Sequence, residues 1–327
     1  MKIAYEKDVL ASKTLAVIKQ ANEIIAIYGE QGYDLTLRQL YYQFVARGLM
    51  ENTQANYKRL GDIVSKGRRA GLIDWDSITD RTRFLRRSST WDRPSTIIQA
   101  CASQFRLDLW AHQPSYVELW FEKDALMGVF ERAAAKMRLP YFSCRGYTSD
   151  SEVWAAAQRL AARADNSESD QLYLEETGAK PKRRRGKLKP RRVVILHFGD
   201  HDPSGLDMTR DIRERLELFG AGTIEVRRLA LNMPQIQQYK PPPNPAKETD
   251  SRFAAYRDAF GEESWELDAL EPTVLAKLVE DELTQLVDWV RWANGEAREA
   301  EARSEIGRIA DNYGLALRLV DEAVGDR

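Results

Sequence analysis

The feature that most constrains the fold is an alternation of strand-like and helix-like segments between residues 115 and 231. Apolar runs rich in β-branched and aromatic residues predict strands at YVELWF, LPYFSC, VVILHF and TIEVRRLAL. Segments with helical periodicity lie between these runs. Because strands that alternate with helices usually pair in parallel, the pattern predicts an α/β fold with a mainly parallel sheet. Ligands of such sheets collect at the carboxyl ends of the strands.

The composition of the 327 residues, 43% hydrophobic and 30% charged, is typical of a globular protein with at least two domains. No apolar run approaches the roughly 20 residues that cross a bilayer, and the start MKIAYEKDVLASK lacks the pattern of a secretory signal. Only Cys101 and Cys144 are present, which argues against a disulfide framework or a structural zinc site. We therefore expect a cytoplasmic protein with no membrane segment.

Charge is separated along the chain, although the net charge is only −1. Residues 38–93 contain 12 basic and 6 acidic side chains, and residues 180–192 contain nine basic ones and no acid. Residues 262–327 carry 17 acids against 7 bases. This clustering favours a face that binds a polyanion over a uniformly charged surface.

The N-terminal region has the layout of a winged helix-turn-helix domain. The sequence predicts a helix over residues 5–30, a second from about Leu37 with Asp34 or Thr36 as its N-cap, and a third that ends at Gly71. The following LIDWDSITDRTR is short, rich in turn residues and suited to a strand pair or wing. Helix, helix and basic wing together indicate DNA binding.

Basic side chains share one side of the third helix when it is projected at 100° per residue. An ordinary solvated face is the alternative reading. Further arginines with interleaved aromatic residues in RTRFLRRSSTWDR favour nucleic acid. The predicted DNA-binding residues are Lys58, Arg59, Lys66, Arg69, Arg83 and Arg86.

Three carboxylates follow predicted strands at the same edge of the sheet. Glu122 follows YVELWF, and Asp200 and Asp202 follow VVILHF. Converging oxygen ligands suit Mg²⁺ or Mn²⁺, which complete their coordination with water and substrate phosphate. Turn and helix-cap chemistry is the alternative for the two aspartates, since Pro203 and Gly205 follow them.

The motifs FEKDAL and FGDHDPSGLD resemble the metal site of a Toprim domain, a Rossmann-like domain with a glutamate followed by an Asp-x-Asp pair. They are most similar to the A subunit of topoisomerase VI and its relatives, which include the meiotic double-strand-break protein, Mini-A proteins and Toprim nuclease subunits of Wadjet-type defence systems. RGYTSDSEVW and WELDAL resemble further segments of that family. The likeness covers roughly residues 30–290.

The resemblance implies that Tyr42 in LRQLYYQF is the nucleophile and that Arg38 grips the scissile phosphate. Helical projection places Tyr42 about 140° from Leu37, outside the apolar stripe that includes Tyr41, so it is expected to be a presented phenol. The implied reaction is Mg²⁺-dependent cleavage of double-stranded DNA that leaves a 5′-phosphotyrosyl linkage. By resemblance, the metal site of one subunit works with the tyrosine of another, which requires a homodimer.

Two other functions stay open. The family's defence nucleases combine the same two domains with a metal ion and water, so hydrolysis of DNA is the main alternative to tyrosine attack. The third possibility is a non-catalytic winged-helix DNA-binding protein. The family also implies a possible ATPase or SMC-type partner subunit and an association with the nucleoid.

The sequence predicts four consecutive segments and a proline-rich connector at QQYKPPPNPAKETD. A single long helix is expected at EPTVLAKLVEDELTQLVDWVRW. The segments are an N-terminal helix (1–33), a winged-helix domain (34–110), a Toprim domain (111–235) with a basic insertion at about 165–192, and a connector with a helical C-terminal region (236–327).

Overall fold

The computed structural model describes residues 1–7, 9–79, 88–164 and 191–325. These residues form two compact units, each assembled from separate stretches of the chain. The first unit contains the described parts of Met1–Arg83, Val117–Ala164 and Arg192–Gln285, and the second those of Phe84–Tyr116, Asp165–Arg191 and Leu286–Arg327. Arg83, Arg86 and nearly all of the predicted basic insertion lie outside the described residues, and the four consecutive segments stay a prediction.

Three helices begin the first unit: α1 (Ser12–Glu30), α2 (Leu37–Ala46) and α3 (Gln54–Arg69). Their apolar faces meet in one buried cluster that includes Leu40, Tyr41 and Leu60. Thr36, one of the two predicted N-caps, completes a capping box with Gln39, which fixes the start of α2. The predicted first helix begins later than expected, because Ala4 bridges Ala70 at the end of α3 and the amides of Tyr5 and Glu6 donate to the carbonyl of Arg69.

The predicted wing does not form a strand pair over residues 71–79. This stretch consists of turns, and Ile78 makes only a single parallel bridge with Leu35. The reason lies in Arg68, whose guanidinium donates hydrogen bonds to the carbonyls of Trp75 and Ile78 and so occupies groups that a strand partner would need. The structure thus contains the predicted helices, but the predicted wing is not formed over residues 71–79. The winged-helix assignment stays a prediction.

The predicted parallel sheet is confirmed as four strands in the order β2-β1-β3-β4. The strands are β1 (Ser115–Phe121), β2 (Tyr141–Ser143), β3 (Arg192–Phe198) and β4 (Glu225–Ala230). β2 pairs in parallel with β1, and β4 with β3. The two central strands are buried along nearly their whole length, which explains their continuous apolar character.

Helices connect these strands, as the alternating pattern predicts. α5 (Met127–Met137) and α6 (Asp150–Ala164) flank β2, and α7 (Pro203–Leu218) joins β3 to β4. A short 3₁₀ turn at Asp124–Leu126 precedes α5. Because the strands are parallel, their carboxyl ends all lie at the same edge of the sheet. β1 and β3 are neighbours, so their carboxyl ends lie side by side.

Short elements follow the sheet. The chain forms α8 (Met233–Tyr239), β5 (Asn244–Pro245), α9 (Phe253–Phe260), β6 (Glu263–Ser264) and α10 (Pro272–Leu286). β5 and β6 pair antiparallel. The three consecutive prolines before Asn244 have no regular structure, but the predicted connector also contains the end of α8 and the two residues of β5.

The prediction of one long C-terminal helix is wrong. α10 ends at Leu286, and a new helix, α11 (Trp289–Asp311), begins three residues later. The carboxylate of Asp288 accepts hydrogen bonds from the amides of Val290 and Arg291, so it caps the new helix. Apolar periodicity continues across the break and therefore conceals it in the sequence.

The second unit contains α4 (Pro94–Gln104), α11 and α12 (Tyr313–Gly325). Buried Glu299 on α11 accepts a hydrogen bond from the amide of Leu107 at 2.8 Å, and Trp110 packs edge-on against Trp292. Across the described ranges, no helix is both long and apolar enough to cross a membrane.

Candidate functional site

Glu122, Asp200 and Asp202, here called the acidic edge, lie at the carboxyl ends of β1 and β3. The amide of Glu122 donates to the carbonyl of Phe198 at 2.9 Å, which extends the strand pairing to this point. The carboxylate of Glu122 in turn accepts a hydrogen bond from the amide of Asp200 at 2.9 Å. The predicted convergence of Glu122 with residues 199–202, here called the aspartate loop, is therefore observed.

Asp202 has a structural role that the sequence left open. Its Oδ1 accepts hydrogen bonds from the amide of Gly205 at 2.6 Å and the hydroxyl of Ser204, so it is the N-cap of α7. A Cβ atom on Gly205 would lie 2.3 Å from the carbonyl oxygen of Asp200, which explains the glycine of the motif. Within the described residues, Oδ2 of Asp202 accepts no hydrogen bond, so capping leaves this oxygen for another ligand.

Lys123 is nearly buried and is surrounded by three carboxylates. Its ammonium lies 2.8 Å from Asp200, 2.7 Å from Glu266 and 3.1 Å from Asp268. Although burial opposes protonation, Asp268, Asp200 and Glu266 raise the pKa of Lys123, so the side chain stays charged. Asp200, a predicted metal ligand, is thus held by an internal cation.

Residues 263–270, here called the linking segment, bring Glu266 and Asp268 to the acidic edge. His201 and Trp265 form an antiparallel bridge, and the amide of Leu267 donates to Oδ1 of Asp200 at 2.8 Å. The sequence indicated WELDAL only as a supporting motif. Neither periodicity nor residue spacing in the sequence could predict that this segment covers Asp200, because the contact joins residues 67 positions apart.

Arg38 and Tyr42 on α2 contact the same linking segment. The guanidinium of Arg38 forms ion pairs with Glu266 and with Asp268, the latter at 2.9 Å, and lies over the ring of Tyr42 at 5.7 Å from its centre. We call the group formed by Arg38, Lys123, Asp200, Glu266 and Asp268 the ion-pair network. It joins the predicted nucleophile to a predicted metal ligand within the first unit.

The prediction that Tyr42 is a presented phenol is wrong. Its side chain is only 5% exposed, although it lies outside the apolar cluster to which Tyr41 belongs. Helical projection therefore identified the correct face of α2, but the linking segment covers that face. Burial, together with the carboxylates of Asp268 and Glu266, raises the pKa of the Tyr42 phenol, so its surroundings favour the neutral form.

The surroundings shift the pKa values of the carboxylates of the site in different directions. Burial raises the pKa of Glu122, and burial with the nearby Glu122 and Asp268 raises the pKa of Asp200 to about 8. Although burial opposes ionisation of Glu266, Lys123 and Arg38 lower its pKa to about 2. Burial therefore disfavours the ionised form of Asp200, the residue that connects the acidic edge to the ion-pair network, although Lys123 opposes this effect.

Arg228 on β4 is a partly buried residue of the site that sequence reasoning missed. Its guanidinium donates hydrogen bonds to the carbonyls of Gly199, Asp200 and Gly205. Burial lowers its pKa to about 10, which still leaves it charged at neutral pH. Arg228 thus holds the backbone of the aspartate loop and of the first turn of α7 in place. An arginine within a predicted strand gives no sequence signal for such a role.

The carboxylate oxygens of the acidic edge are the type of ligand atom that Mg²⁺ and Mn²⁺ prefer. The acidic edge, the ion-pair network and Arg228 together contain five carboxylates and three basic groups, a formal charge of −2. In the part of the chain that the structure describes, however, no three His, Cys, Asp or Glu side chains are arranged as a metal-binding group. Both oxygens of Asp200 are already engaged, by Lys123 and Leu267, so this residue would have to release Lys123 to bind a cation.

Lys58, Arg59, Lys66 and Arg69 are all exposed on α3 and form the basic face of this helix. The carboxylate of Glu6 pairs with Arg69 at 2.9 Å, so part of that charge is neutralised. The two predicted DNA-binding arginines of the following segment, Arg83 and Arg86, lie beyond the described ranges.

A polar cavity of about 320 Å³ lies between α2, the start of α3 and the linking segment, all within the first unit. Its walls include Arg38, Tyr42, Asn52, Tyr57, Asn244 and Glu266. The cavity therefore reaches both members of the predicted catalytic pair.

Comparison with known proteins adds no assignment: no family model matches the chain, and no curated protein matches it. The likeness to topoisomerase VI A subunits is an interpretation of motifs and their positions.

Proposed function

We propose that the protein is a Mg²⁺- or Mn²⁺-dependent enzyme that cleaves double-stranded DNA, with the Toprim-like and winged-helix organisation of topoisomerase VI A subunits. The observation that carries this proposal is the continuous chain of ion pairs from Arg38 beside Tyr42, through Glu266 and Lys123, to Asp200. It connects a helix proposed to face DNA with three carboxylates at the ligand-binding edge of a parallel sheet.

In the proposed reaction the Tyr42 oxygen forms a bond to phosphorus, and the bond between phosphorus and the 3′ oxygen breaks. The phenol loses its proton to solvent, and the departing 3′ oxygen gains one. Arg38 suits a phosphate because its planar guanidinium donates several hydrogen bonds at once. A cation held by Glu122, Asp200 and Asp202 would stabilise negative charge on the phosphate and the leaving oxygen.

The neighbouring carboxylate gives Tyr42 little help as a nucleophile. Since the pKa of Glu266 is about 2, this group is a weak base for a phenol whose own pKa is raised. These two observations favour a second candidate, in which water attacks the phosphate and the DNA ends are free of protein. Tyr42 would then orient Arg38 and line the cavity.

A supercoiled-plasmid assay with Mg²⁺ or Mn²⁺ tests both candidates. The reaction is quenched with detergent and analysed with and without proteinase, for the unmodified protein, Tyr42→Phe and Asp200→Ala. Protein-linked DNA whose formation is lost in both variants supports the tyrosine reaction. Protein-free ends that persist in Tyr42→Phe and disappear in Asp200→Ala support hydrolysis, whereas metal-independent binding with no cleavage overturns both and leaves a DNA-binding protein.

The proposed homodimer is testable by mixing the two inactive variants. If the tyrosine of one subunit works with the acidic edge of another, mixed Tyr42→Phe and Asp200→Ala proteins regain cleavage through one intact composite site. If both groups act within a single chain, as the ion-pair network allows, the mixture stays inactive. An ATPase or SMC-type partner subunit and association with the nucleoid belong to the proposal as implications of the resemblance.

A further inference from the structure

The polar cavity has the size of a site for one small group. Its volume of about 320 Å³ lies near the lower end of the range of small-ligand pockets. A duplex cannot enter a space of this size, because B-DNA is far wider. An occupant from DNA would therefore be a single nucleotide or its base.

The walls of the cavity match the edge of a nucleobase. The carboxamides of Asn52 and Asn244 hydrogen bond to each other, Oδ1 of Asn52 also accepts from the Tyr41 hydroxyl, and Nδ2 of Asn244 also donates to Glu266. Because a carboxamide oxygen can accept two hydrogen bonds and a carboxamide nitrogen can donate two, each of these groups keeps one position for the edge of a base. Donor and acceptor side by side are the groups with which Asn and Gln side chains read bases. Tyr57 adds a partly exposed aromatic surface, on which a base of any sequence can stack.

The position of the cavity connects it with bound DNA. Tyr57 lines the cavity, and the next two residues, Lys58 and Arg59, are exposed on the basic face. Arg38, the residue to which we assign the scissile phosphate, also lines the cavity, so a phosphate bound there would lie beside it.

We infer that the polar cavity binds one nucleobase rotated out of the DNA duplex, with Asn52 and Asn244 contacting its edge. This inference rests on the proposed function, because it requires duplex DNA as the substrate. Unpairing costs binding free energy, and stacking on tyrosine with hydrogen bonds to the carboxamides offsets it. The expected consequence is a short, mild sequence preference at one position beside the bound phosphate.

Permanganate oxidation of bound DNA tests the inference without knowledge of the cleavage position, because permanganate attacks thymines that have lost their stacking. An end-labelled duplex fragment is saturated with protein in the presence of a chelator, and saturation is verified by fluorescence anisotropy. We expect new reactive thymines where a base has left the stack. Asn244→Ala should lose this reactivity while still saturating the DNA, and Gln238→Ala, an exposed carboxamide outside the cavity, should retain it.

Each outcome has a distinct meaning. If no protein binds the duplex, the proposed function fails. If DNA is saturated and no thymine becomes reactive, the base-binding inference is wrong and the proposed function stands. If reactivity appears and persists unchanged in folded Asn244→Ala and Asn52→Ala proteins, a base leaves the stack but the cavity does not hold it, which also overturns the inference.

Discussion

The ion-pair network and the basic face of α3 both carry positive charge, but they differ in burial. Lys123 is 17% exposed and Asp268 is fully buried, whereas Lys58, Arg59 and Lys66 project from the surface. Charges in the network depend on one another, because removal of one leaves its partners desolvated without compensation. Charges on the basic face act separately through solvent, where each contributes little to folding. Buried charge should therefore control stability and geometry, and exposed charge should control affinity.

Asp268→Asn should produce the largest effect on folding. The substitution removes the more deeply buried of the two carboxylates that Lys123 and Arg38 share, and breaking a buried ion pair typically costs about 3–5 kcal/mol. Urea unfolding at neutral pH measures the free energy of unfolding. Asp281→Asn is the matched control, since this exposed acid pairs with Lys277 on α10 and should change stability by less than about 0.5 kcal/mol. Equal losses in both variants would contradict the contrast between the two regions.

Acidification should weaken the buried region before the exposed one. Burial, and secondarily Arg228, lowers the pKa of His197 to about 3, so the unfolded chain takes up a proton that the folded chain refuses between about pH 6.5 and 3. The free energy of unfolding should therefore fall by about 1.4 kcal/mol for each pH unit below 6.5 through this residue alone. His197→Gln should flatten the measured pH profile relative to a His112→Gln control. If the slope of the free energy of unfolding against pH is the same in His197→Gln and in the unmodified protein, His197 is not the source of the pH dependence.

The adjacent tyrosines Tyr41 and Tyr42 should respond oppositely to removal of the hydroxyl. The Tyr41 hydroxyl accepts from the amide of Thr53 at 2.7 Å and donates to a backbone carbonyl, so Tyr41→Phe should cost about 0.5–1.5 kcal/mol through the loss of these hydrogen bonds. It should leave the cleavage rate of folded protein nearly unchanged. Tyr42→Phe should cost less stability and, if Tyr42 is the nucleophile, abolish protein-linked DNA. Thermal unfolding and the plasmid assay on the same samples make the comparison.

Substitution on the basic face should have the smallest effect on folding and a graded effect on binding. Lys58→Ala and Arg59→Ala should each change the free energy of unfolding by less than about 0.5 kcal/mol. Each should also reduce the slope of log affinity against log salt by about one for every phosphate that the variant can no longer neutralise. Anisotropy titrations at several salt concentrations measure this slope. A slope identical to that of the unmodified protein would remove these residues from the DNA-binding surface.

The sequence predicted the parts of the fold that repeat and missed those that depend on distant contacts. Strand and helix periodicity gave the parallel sheet, and the Thr36 cap fixed the start of α2. Periodicity could not show the break before α11, because the apolar pattern continues past Asp288, the single aspartate that caps the new helix.

The same distinction applies to the candidate site. The positions of Glu122 and Asp200 followed from strand ends, which parallel topology brings together. The burial of Tyr42 and the pairing of Lys123 could not be predicted, since both depend on the linking segment. Projection of a helix shows which side chains share a face, but not which distant segment covers that face.

The contact between Asp200 and Leu267 also sets an order of events during synthesis. The ribosome must add 67 residues after Asp200 before the linking segment exists, which takes roughly 3–13 seconds at ordinary elongation rates. Until then the carboxylates of the aspartate loop have neither the Leu267 amide nor the cover of the linking segment. A nascent chain interrupted between Ala230 and Leu267 contains all four parallel strands, but it cannot assemble the ion-pair network. The proposed action on DNA would therefore become possible only after most of the polypeptide has been made.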